Sequence, residues 1–112
     1  MAVDTNMFPL VFNAEREDLT ADGALSVDTY LSTVAVAAGA NMTLADGTKA
    51  GQVKKVLNLD ASVGCEVTVA TPRVSGDKVI DIDAVGDFVT LMWDGEAWFI
   101  IDQSSGMAHA AS

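Results

Sequence analysis

The sequence predicts an all-β fold: a compact antiparallel β-sandwich or barrel of about seven short strands, with an extended N-terminal arm. Composition is the first reason, because Val, Thr, Asp and Gly are abundant whereas the helix-favouring Glu and Lys are sparse. The second is spacing, since turn signals recur about every eight to twelve residues. The third is a hairpin signal at Asp94-Gly95, which joins two strongly β-forming runs. A chain of 112 residues is long enough to form one such domain around a core.

Three parts are expected along the chain: an extended arm over residues 1–23, a β-domain over 24–105 and a flexible tail over 106–112. The arm contains a short apolar run, residues 7–12 (MFPLVF), in which Pro9 argues against a central strand. Such a segment is able to lie against a partner, or to form an edge strand on its own domain. The tail consists of small and polar residues, which is typical of a frayed chain end.

Each predicted strand is a short run that is rich in β-branched residues or alternates apolar with polar side chains. In the run 79–84, alternation points Ile80, Ile82 and Ala84 inward. The run 52–57 contains Lys54 and Lys55 in succession, so at least one of them is expected to face solvent. The predicted strands before the hairpin are 29–37, 41–44, 52–57, 66–70 and 79–84.

The hairpin is apolar on both faces. With Asp94 and Gly95 as a two-residue loop, Leu91 would pair with Trp98. A small domain can bury one face in its own core, but the second face needs a second sheet or another copy of the chain. We expect a subunit interface on that second face, formed by Phe88, Met92, Phe99 and Ile101. Alternation assigns Val89, Leu91, Trp93, Trp98 and Ile100 to one face, and Phe88, Thr90, Met92, Phe99 and Ile101 to the other.

Charge narrows the range of partners. Six Lys and Arg against sixteen Asp and Glu give a net charge of −10, which disfavours binding to nucleic acid or to an anionic membrane. No run approaches the ~20 apolar residues that span a bilayer, and no secretion signal is recognised, so synthesis in a reducing cytoplasm is expected. The single cysteine, Cys65, is interpreted as a small apolar strand residue rather than a disulfide or zinc ligand.

No catalytic residue, metal site or cofactor is predicted. His109 is the only histidine and lies in the tail, whereas a catalytic or metal-binding imidazole needs a rigid scaffold. Asp81, Asp83 and Asp87 could offer oxygens to calcium, but the spacing of a calcium loop is missing, so a solvated face is the better interpretation. A small hydrolase using paired carboxylates is a third hypothesis, weakened by the little room that a short chain has for a cleft.

Two motifs together resemble small β-domains of tailed-phage virion proteins. They are TLADGTKAGQVK (residues 43–54) and AVGDFVTLMWDGEAW (residues 84–98), and the resemblance extends over roughly residues 29–101. Such domains occur as capsid decoration (cement) proteins and within head or tail fibres. The resemblance implies a trimer in which apolar strand faces meet around a threefold axis. Because no repeat or coiled-coil shaft is recognised here, decoration is favoured over a fibre.

The resemblance therefore implies a decoration protein on the outside of a phage head, made in the host bacterial cytoplasm and stabilising the shell. Its expected partners are the major capsid protein and two further copies of itself, without cofactors. The alternative is a head- or tail-fibre tip domain that binds a host-surface glycan or receptor, with Trp93 or Trp98 stacking on sugar. The expected capsid-binding residues, all in the arm, are Phe8, Pro9, Leu10 and Phe12.

Overall fold

Two five-stranded β-sheets make up the part of the chain that the computed structural model describes, residues 16–36, 39–60 and 64–112. The first sheet has the strand order β1-β3-β5-β8-β9 and the second has the order β10-β7-β6-β4-β2. A 3-10 turn at Ser75–Asp77 precedes β7. The strands are β1 (Arg16–Leu19), β2 (Gly23–Leu25), β3 (Leu31–Val34), β4 (Asn41–Leu44), β5 (Gln52–Asn58), β6 (Glu66–Val69), β7 (Val79–Asp81), β8 (Phe88–Trp93), β9 (Trp98–Gln103) and β10 (His109–Ala110).

Both sheets are mixed rather than wholly antiparallel, which corrects the predicted strand direction. Strands β1, β3 and β5 run parallel in the first sheet, and β2, β4 and β6 run parallel in the second. The reason is the chain path: each of the first five strands is followed by a strand of the other sheet, so neighbours within a sheet point the same way. Antiparallel pairing begins only with the later strands, β7 to β10.

The core lies between the two sheets, as expected for a sandwich, and confirms the all-β prediction. Strands of both sheets contribute alternate side chains to it, because successive residues of a strand point to opposite faces. Each fully buried Val, Leu, Ile or Met contributes about 1.5–3 kcal/mol to folding. The core includes Leu25, Val34, Met42, Leu44, Val56, Cys65, Val67, Val69, Ile80, Ile82, Val89, Leu91, Trp93 and Trp98.

Cys65 is buried in this core as a free thiol. Burial, reinforced by the nearby carboxylate of Asp83, raises the pKa of the Cys65 thiol to about 11. The thiolate is therefore a minor form near neutral pH, which suits a packing residue.

The hairpin has the predicted faces but a different register. Trp93 lies opposite Trp98, two residues from the predicted partner of Trp98, and a shift of two residues leaves the faces unchanged as far as Leu91, which lies opposite Ile100. Between Leu91 and Thr90 a β-bulge leaves Ile101 without a partner in β8, so Thr90 lies opposite Asp102. The turn causes the shift of two residues. Gly95 (φ 102°) is the first central residue, and the carboxylate of Asp94 accepts hydrogen bonds from the backbone N–H groups of Glu96 and Ala97, both at 2.9 Å.

The structure places strands in both chain ends. Within the predicted arm, Arg16–Leu19 forms the edge strand β1, while residues 1–15, including Phe8, Pro9, Leu10 and Phe12, lie outside the described residues. In the predicted tail, His109–Ala110 pairs with β7 as strand β10 instead of fraying. The backbone N–H of Asp81 also donates to the carbonyl of Ala108 at 3.0 Å, which fastens this end to the second sheet.

Strand β7 is shorter than predicted. It ends at Asp81, and although Ile80 and Ile82 are buried as expected, Ala84 is exposed. The carboxylate of Asp87 accepts the N–H of Ala84 at 3.0 Å, so the chain turns there instead of continuing the strand. Across the described ranges, the structure has no helix of the length and apolar character needed to cross a bilayer.

Candidate functional site

The outer face of the first sheet, which points away from the core, carries a group of apolar side chains that is crossed by one polar row, Lys55, Thr90 and Asp102. In β5, Val53 and Leu57 point outward on either side of Lys55. On the neighbouring strands, Val53 of β5 lies opposite Met92 of β8, and Met92 lies opposite Phe99 of β9. We call this group the apolar patch; it comprises Leu31, Val53, Leu57, Phe88, Met92, Phe99 and Ile101.

All four residues predicted to form a subunit interface belong to this patch. The structure brings Phe88, Met92 and Phe99 onto one face of β8 and β9, and Ile101 is exposed at the β-bulge beside them, although whether another subunit packs there stays a prediction. Residues of β3 and β5 that extend the patch were missed. Their alternation was visible in the sequence, but nothing in it showed that β5 lies beside β8.

The patch is apolar and open but contains one cation. Ile101 is 45% exposed, and most of the other patch residues are half-buried by one another. The ammonium group of Lys55 lies 4.6 Å from the centroid of the Phe88 ring, a cation–π contact worth about 0.5–1 kcal/mol. At the edge of the face, Arg16 and Asp18 form an exposed ion pair at 3.0 Å. The outer face of the first sheet therefore carries two cations, Arg16 and Lys55, and also the carboxylate of Asp102, which lies opposite Thr90.

The outer face of the second sheet is different, because it is polar and acidic. Glu66 of β6 lies opposite Asp81 of β7, and the hydroxyl of Thr68 donates to the side-chain oxygen of Asn41 at 2.9 Å. Carboxylates and threonines on an outer face are well solvated and need no cover. The sandwich thus has one face suited to water and one suited to contact with another surface.

A buried polar cluster ties the edge strand β1 to the first sheet. The ammonium group of Lys54, with no exposed surface, donates hydrogen bonds to the carbonyl of Thr29 (2.7 Å) and the hydroxyl of Ser32, and lies 3.9 Å from a carboxylate oxygen of Glu17. Ser32 in turn donates to the same Glu17 oxygen at 2.6 Å. Burial lowers the pKa of Lys54 from 10.5 to about 8, and Glu17 opposes this shift.

This cluster is not predicted from the sequence. The prediction that at least one of the two lysines faces solvent holds for Lys55, which is partly exposed, whereas Lys54 is buried. Lys54 is two residues from Val56 and therefore points inward with it. This alternation is the feature of the sequence that could have predicted the burial of Lys54. A serine beside a lysine of lowered pKa has the composition of a hydrolytic dyad, but Ser32 is fully buried and no substrate could reach it. The cluster is therefore structural.

Trp93 and Trp98 belong to the core, as the sequence interpretation favoured. Their exposed fractions are 6% and 1%, and their ring centroids lie 5.4 Å apart at 60°. The indole N–H of Trp98 donates to the carbonyl of Ala45 at 2.8 Å, and Gly47 lies directly against the Trp93 ring. Neither ring has a free face on which a sugar could stack, so the glycan-binding alternative loses the residues proposed for it.

His109 is held by the scaffold, contrary to the expectation of a frayed tail. Its Nδ1 lies 2.8 Å from a carboxylate oxygen of Asp77, while its Nε2 is buried and has no hydrogen-bond partner. This histidine thus has an orienting carboxylate, and among the described residues no hydroxyl or thiol is hydrogen-bonded to its Nε2 for it to activate. The absence of enzymatic activity stays a prediction.

Two of the three aspartates weighed as calcium ligands accept hydrogen bonds in turns, and the third, Asp81, lies in strand β7. Asp83 accepts the N–H of Gly64 at 3.1 Å, and Asp87 accepts the N–H of Ala84. Within residues 16–36, 39–60 and 64–112, no three His, Cys, Asp or Glu side chains are grouped closely enough to hold a metal ion.

A shallow depression of about 290 Å³ lies on the second sheet, lined by five residues without an ionisable side chain. Because the depression has no ionisable group with which to bind or transform a ligand, the apolar patch is the better candidate for a functional surface. Models of known protein families do not match this chain, and a search of curated proteins finds no match either.

Proposed function

We propose that the protein is a capsid decoration protein of a tailed phage, which binds the outside of the head and stabilises the shell. The observation that carries the proposal is the apolar patch on one face of an otherwise acidic β-sandwich. Large apolar side chains clustered on an open sheet face are typical of a contact surface. The resemblance of residues 43–54 and 84–98 to virion β-domains supports a phage particle as the place of that contact.

The patch is proposed as the contact between copies, which form a trimer on the shell. The residues buried between subunits would then be Phe88, Met92, Phe99 and Ile101. The arm residues Phe8, Pro9, Leu10 and Phe12 would contact the major capsid protein. Individual contacts of this kind can be weak. A copy that is held by one contact forms its further contacts at a high effective concentration. Many weak contacts over a symmetric shell therefore give strong binding.

Charge is consistent with this arrangement. At a net charge of −10, the chains repel one another through most of their surface, which keeps a protein made in large quantity soluble. That repulsion is weaker at the outer face of the first sheet, where Arg16 pairs with Asp18 and Lys55 adds a second positive charge.

The test is co-sedimentation of the purified protein with phage heads that lack it, alongside heads that already carry it. We expect saturable binding to the bare heads alone, with a stoichiometry that identifies the symmetry axis occupied. Failure to bind either kind of head would overturn the proposal and favour a fibre-tip domain.

A matched pair of variants connects the result to the patch. Met92→Glu places a carboxylate in the patch, whereas Thr68→Glu places one on the outer face of the second sheet. We expect Met92→Glu to weaken head binding at least tenfold and Thr68→Glu to leave it unchanged. Equal binding by both folded variants would exclude the patch as the assembly surface.

A further inference from the structure

We propose that Lys55 of one copy and Asp102 of the next copy form an ion pair in the assembled protein, and that this pair determines which parts of neighbouring copies meet. The inference rests on the copy-to-copy contact of the proposed function and adds the residues that orient it. It arises from the polar row Lys55, Thr90 and Asp102, which crosses the apolar patch.

A β-bulge places Asp102 in this row. Regular pairing beyond Ile100 would put Ile101 opposite Thr90 and point the side chain of Asp102 inward. The extra residue at the bulge instead puts Asp102 opposite Thr90, which lies opposite Lys55 on the outer face. Bulges re-aim side chains in this way and are over-represented at sheet edges. The irregularity in β9 therefore brings a carboxylate to the outer face, in the row of a lysine.

Both charges are available at the surface. In the part of the chain that the structure describes, neither Lys55 nor Asp102 takes part in an ion pair. One carboxylate oxygen of Asp102 accepts the backbone N–H of Gln103 at 2.9 Å, and the ammonium group of Lys55 lies over the Phe88 ring. Asp102 is exposed and Lys55 is partly exposed, so each can meet a charge from outside its own chain.

The two charges lie at different places across the sheet. Lys55 is in the middle strand β5 and Asp102 is in the edge strand β9, two strand spacings or about 10 Å away, with Thr90 of β8 between them. Contact between two β9 edges would bring two Asp102 carboxylates together, which is unfavourable. Contact between the β9 edge of one copy and the β5 region of another brings opposite charges together.

Rotational symmetry allows the second kind of contact to repeat. A rotation axis parallel to the strands leaves the height of each residue along the axis unchanged, so the row of one copy meets the same row of the next. In a head-to-tail ring, β9 of each copy lies against β5 of its neighbour, which places Asp102 beside Lys55 at every contact. This arrangement closes on itself, as the proposed trimer requires.

The apolar side chains on either side of the row supply affinity, and the ion pair supplies orientation. Removal of the apolar groups from water is favourable wherever they meet, but it has no direction. Complementary charges penalise a wrong alignment, because like charges then face each other. The flanking residues are Val53, Met92 and Phe99 on one side of the row, and Leu57 and Phe88 on the other.

Exchange of the two charges in the free full-length protein tests the pair. Lys55→Glu places two carboxylates at each contact, and Asp102→Lys places two ammonium groups there. We expect each variant to raise the concentration at which half of the chains are assembled at least tenfold, as measured by sedimentation equilibrium. Lys55→Glu/Asp102→Lys restores opposite charges and should return that concentration to within about threefold of the wild-type value. Such recovery would also show that the changed side chains are compatible with folding.

Lys49→Glu and Asp81→Lys serve as matched controls. They make the same changes in net charge away from the row, the first in the loop after β4 and the second in strand β7 of the other sheet. Both should assemble like the wild type. The inference would be overturned by single variants that assemble normally, by a double variant no better than the single ones, or by a wild type that stays monomeric.

Mixing the two single variants tests the ring. In a face-to-face dimer with twofold symmetry, one Lys55→Glu copy and one Asp102→Lys copy would satisfy both ion pairs. A ring of three always retains one contact between like charges, so we expect mixing to restore assembly only in part. Full restoration as a dimer would contradict the ring.

Co-sedimentation of the same variants with bare heads separates this inference from the proposed function. Normal head binding by a protein whose assembly does not respond to the charge exchange would reject the ion pair and leave the proposed function standing. Loss and rescue of assembly, without binding of any variant or the wild type to heads, would support the pair and reject the proposed function.

Discussion

The ammonium group of Lys54 and the hydroxyl of Ser32 form a hydrogen bond inside the sandwich, where neither side chain has exposed surface. Lys54 projects from β5 and Ser32 from β3. The carboxylate of Glu17, in β1, accepts a hydrogen bond from the hydroxyl of Ser32. Three parallel strands are therefore linked by one polar cluster. Because desolvation of a cation is costly, this cluster makes stability depend on pH in a way that can be measured.

Replacement of Lys54 by methionine should change that pH dependence. The pKa of Lys54 is about 8 in the folded protein against 10.5 ordinarily, so the unfolded chain binds the proton more tightly. The contribution of Lys54 to the free energy of unfolding consequently rises with pH between about 8 and 10.5. Between pH 7 and pH 10, we expect the unfolding free energy of the wild type to increase by about 2 kcal/mol more than that of Lys54→Met. Urea unfolding of both proteins at each pH measures this, and a difference that stays constant would contradict it.

Glu17→Gln should destabilise the protein through Lys54. The amide still accepts the hydrogen bonds from Ser32 and from the backbone of Ser26, but it no longer balances the buried cation. We expect a loss of about 1–2 kcal/mol in unfolding free energy at pH 7, and a smaller loss when Lys54→Met is already present. Glu66→Gln on the second sheet serves as the control. Equal effects of Glu17→Gln in both backgrounds would mean that the two residues are not coupled.

Trp98→Ala should be among the most destabilising single changes in the described residues. The side chain is 1% exposed, contacts Trp93, and donates to the carbonyl of Ala45. Its removal leaves a cavity and an unpaired carbonyl, for which we expect a cost of about 3–5 kcal/mol in denaturant unfolding. Val85→Ala, at a residue that is 63% exposed, should change stability by less than about 0.5 kcal/mol. A small effect at Trp98 would show that the hairpin does not pack as described.

Gly47→Ala tests the contact between a turn and the Trp93 ring. A Cβ atom at position 47 would overlap the side chain of Trp93, whereas one at Gly76 would meet no atom within 4 Å. We expect Gly47→Ala to cost about 1–3 kcal/mol and to shift tryptophan fluorescence, because the ring must move. Gly76→Ala should leave both stability and fluorescence nearly unchanged. Identical behaviour of the two variants would exclude the close approach.

Several features of this protein were determined by the sequence alone. Strict alternation in β8 placed Val89 and Leu91 inside and Phe88 and Met92 outside, because successive side chains of a strand point to opposite faces. The turn near Asp94-Gly95 was equally local, since glycine supplies the positive φ that it needs. The four predicted patch residues follow from the same rule.

The tertiary structure decided which strands became neighbours. Alternation within a strand carries no information about its partner, so the parallel pairing of β1, β3 and β5 and the contribution of Val53 and Leu57 to the patch depended on the chain path between the sheets. The register of Trp93 opposite Trp98 depended on how the Asp94 carboxylate caps the turn. Lys54 is buried for the same reason: its strand is central, the carbonyl of Thr29 and the hydroxyl of Ser32 accept its hydrogen bonds, and the carboxylate of Glu17 balances its charge.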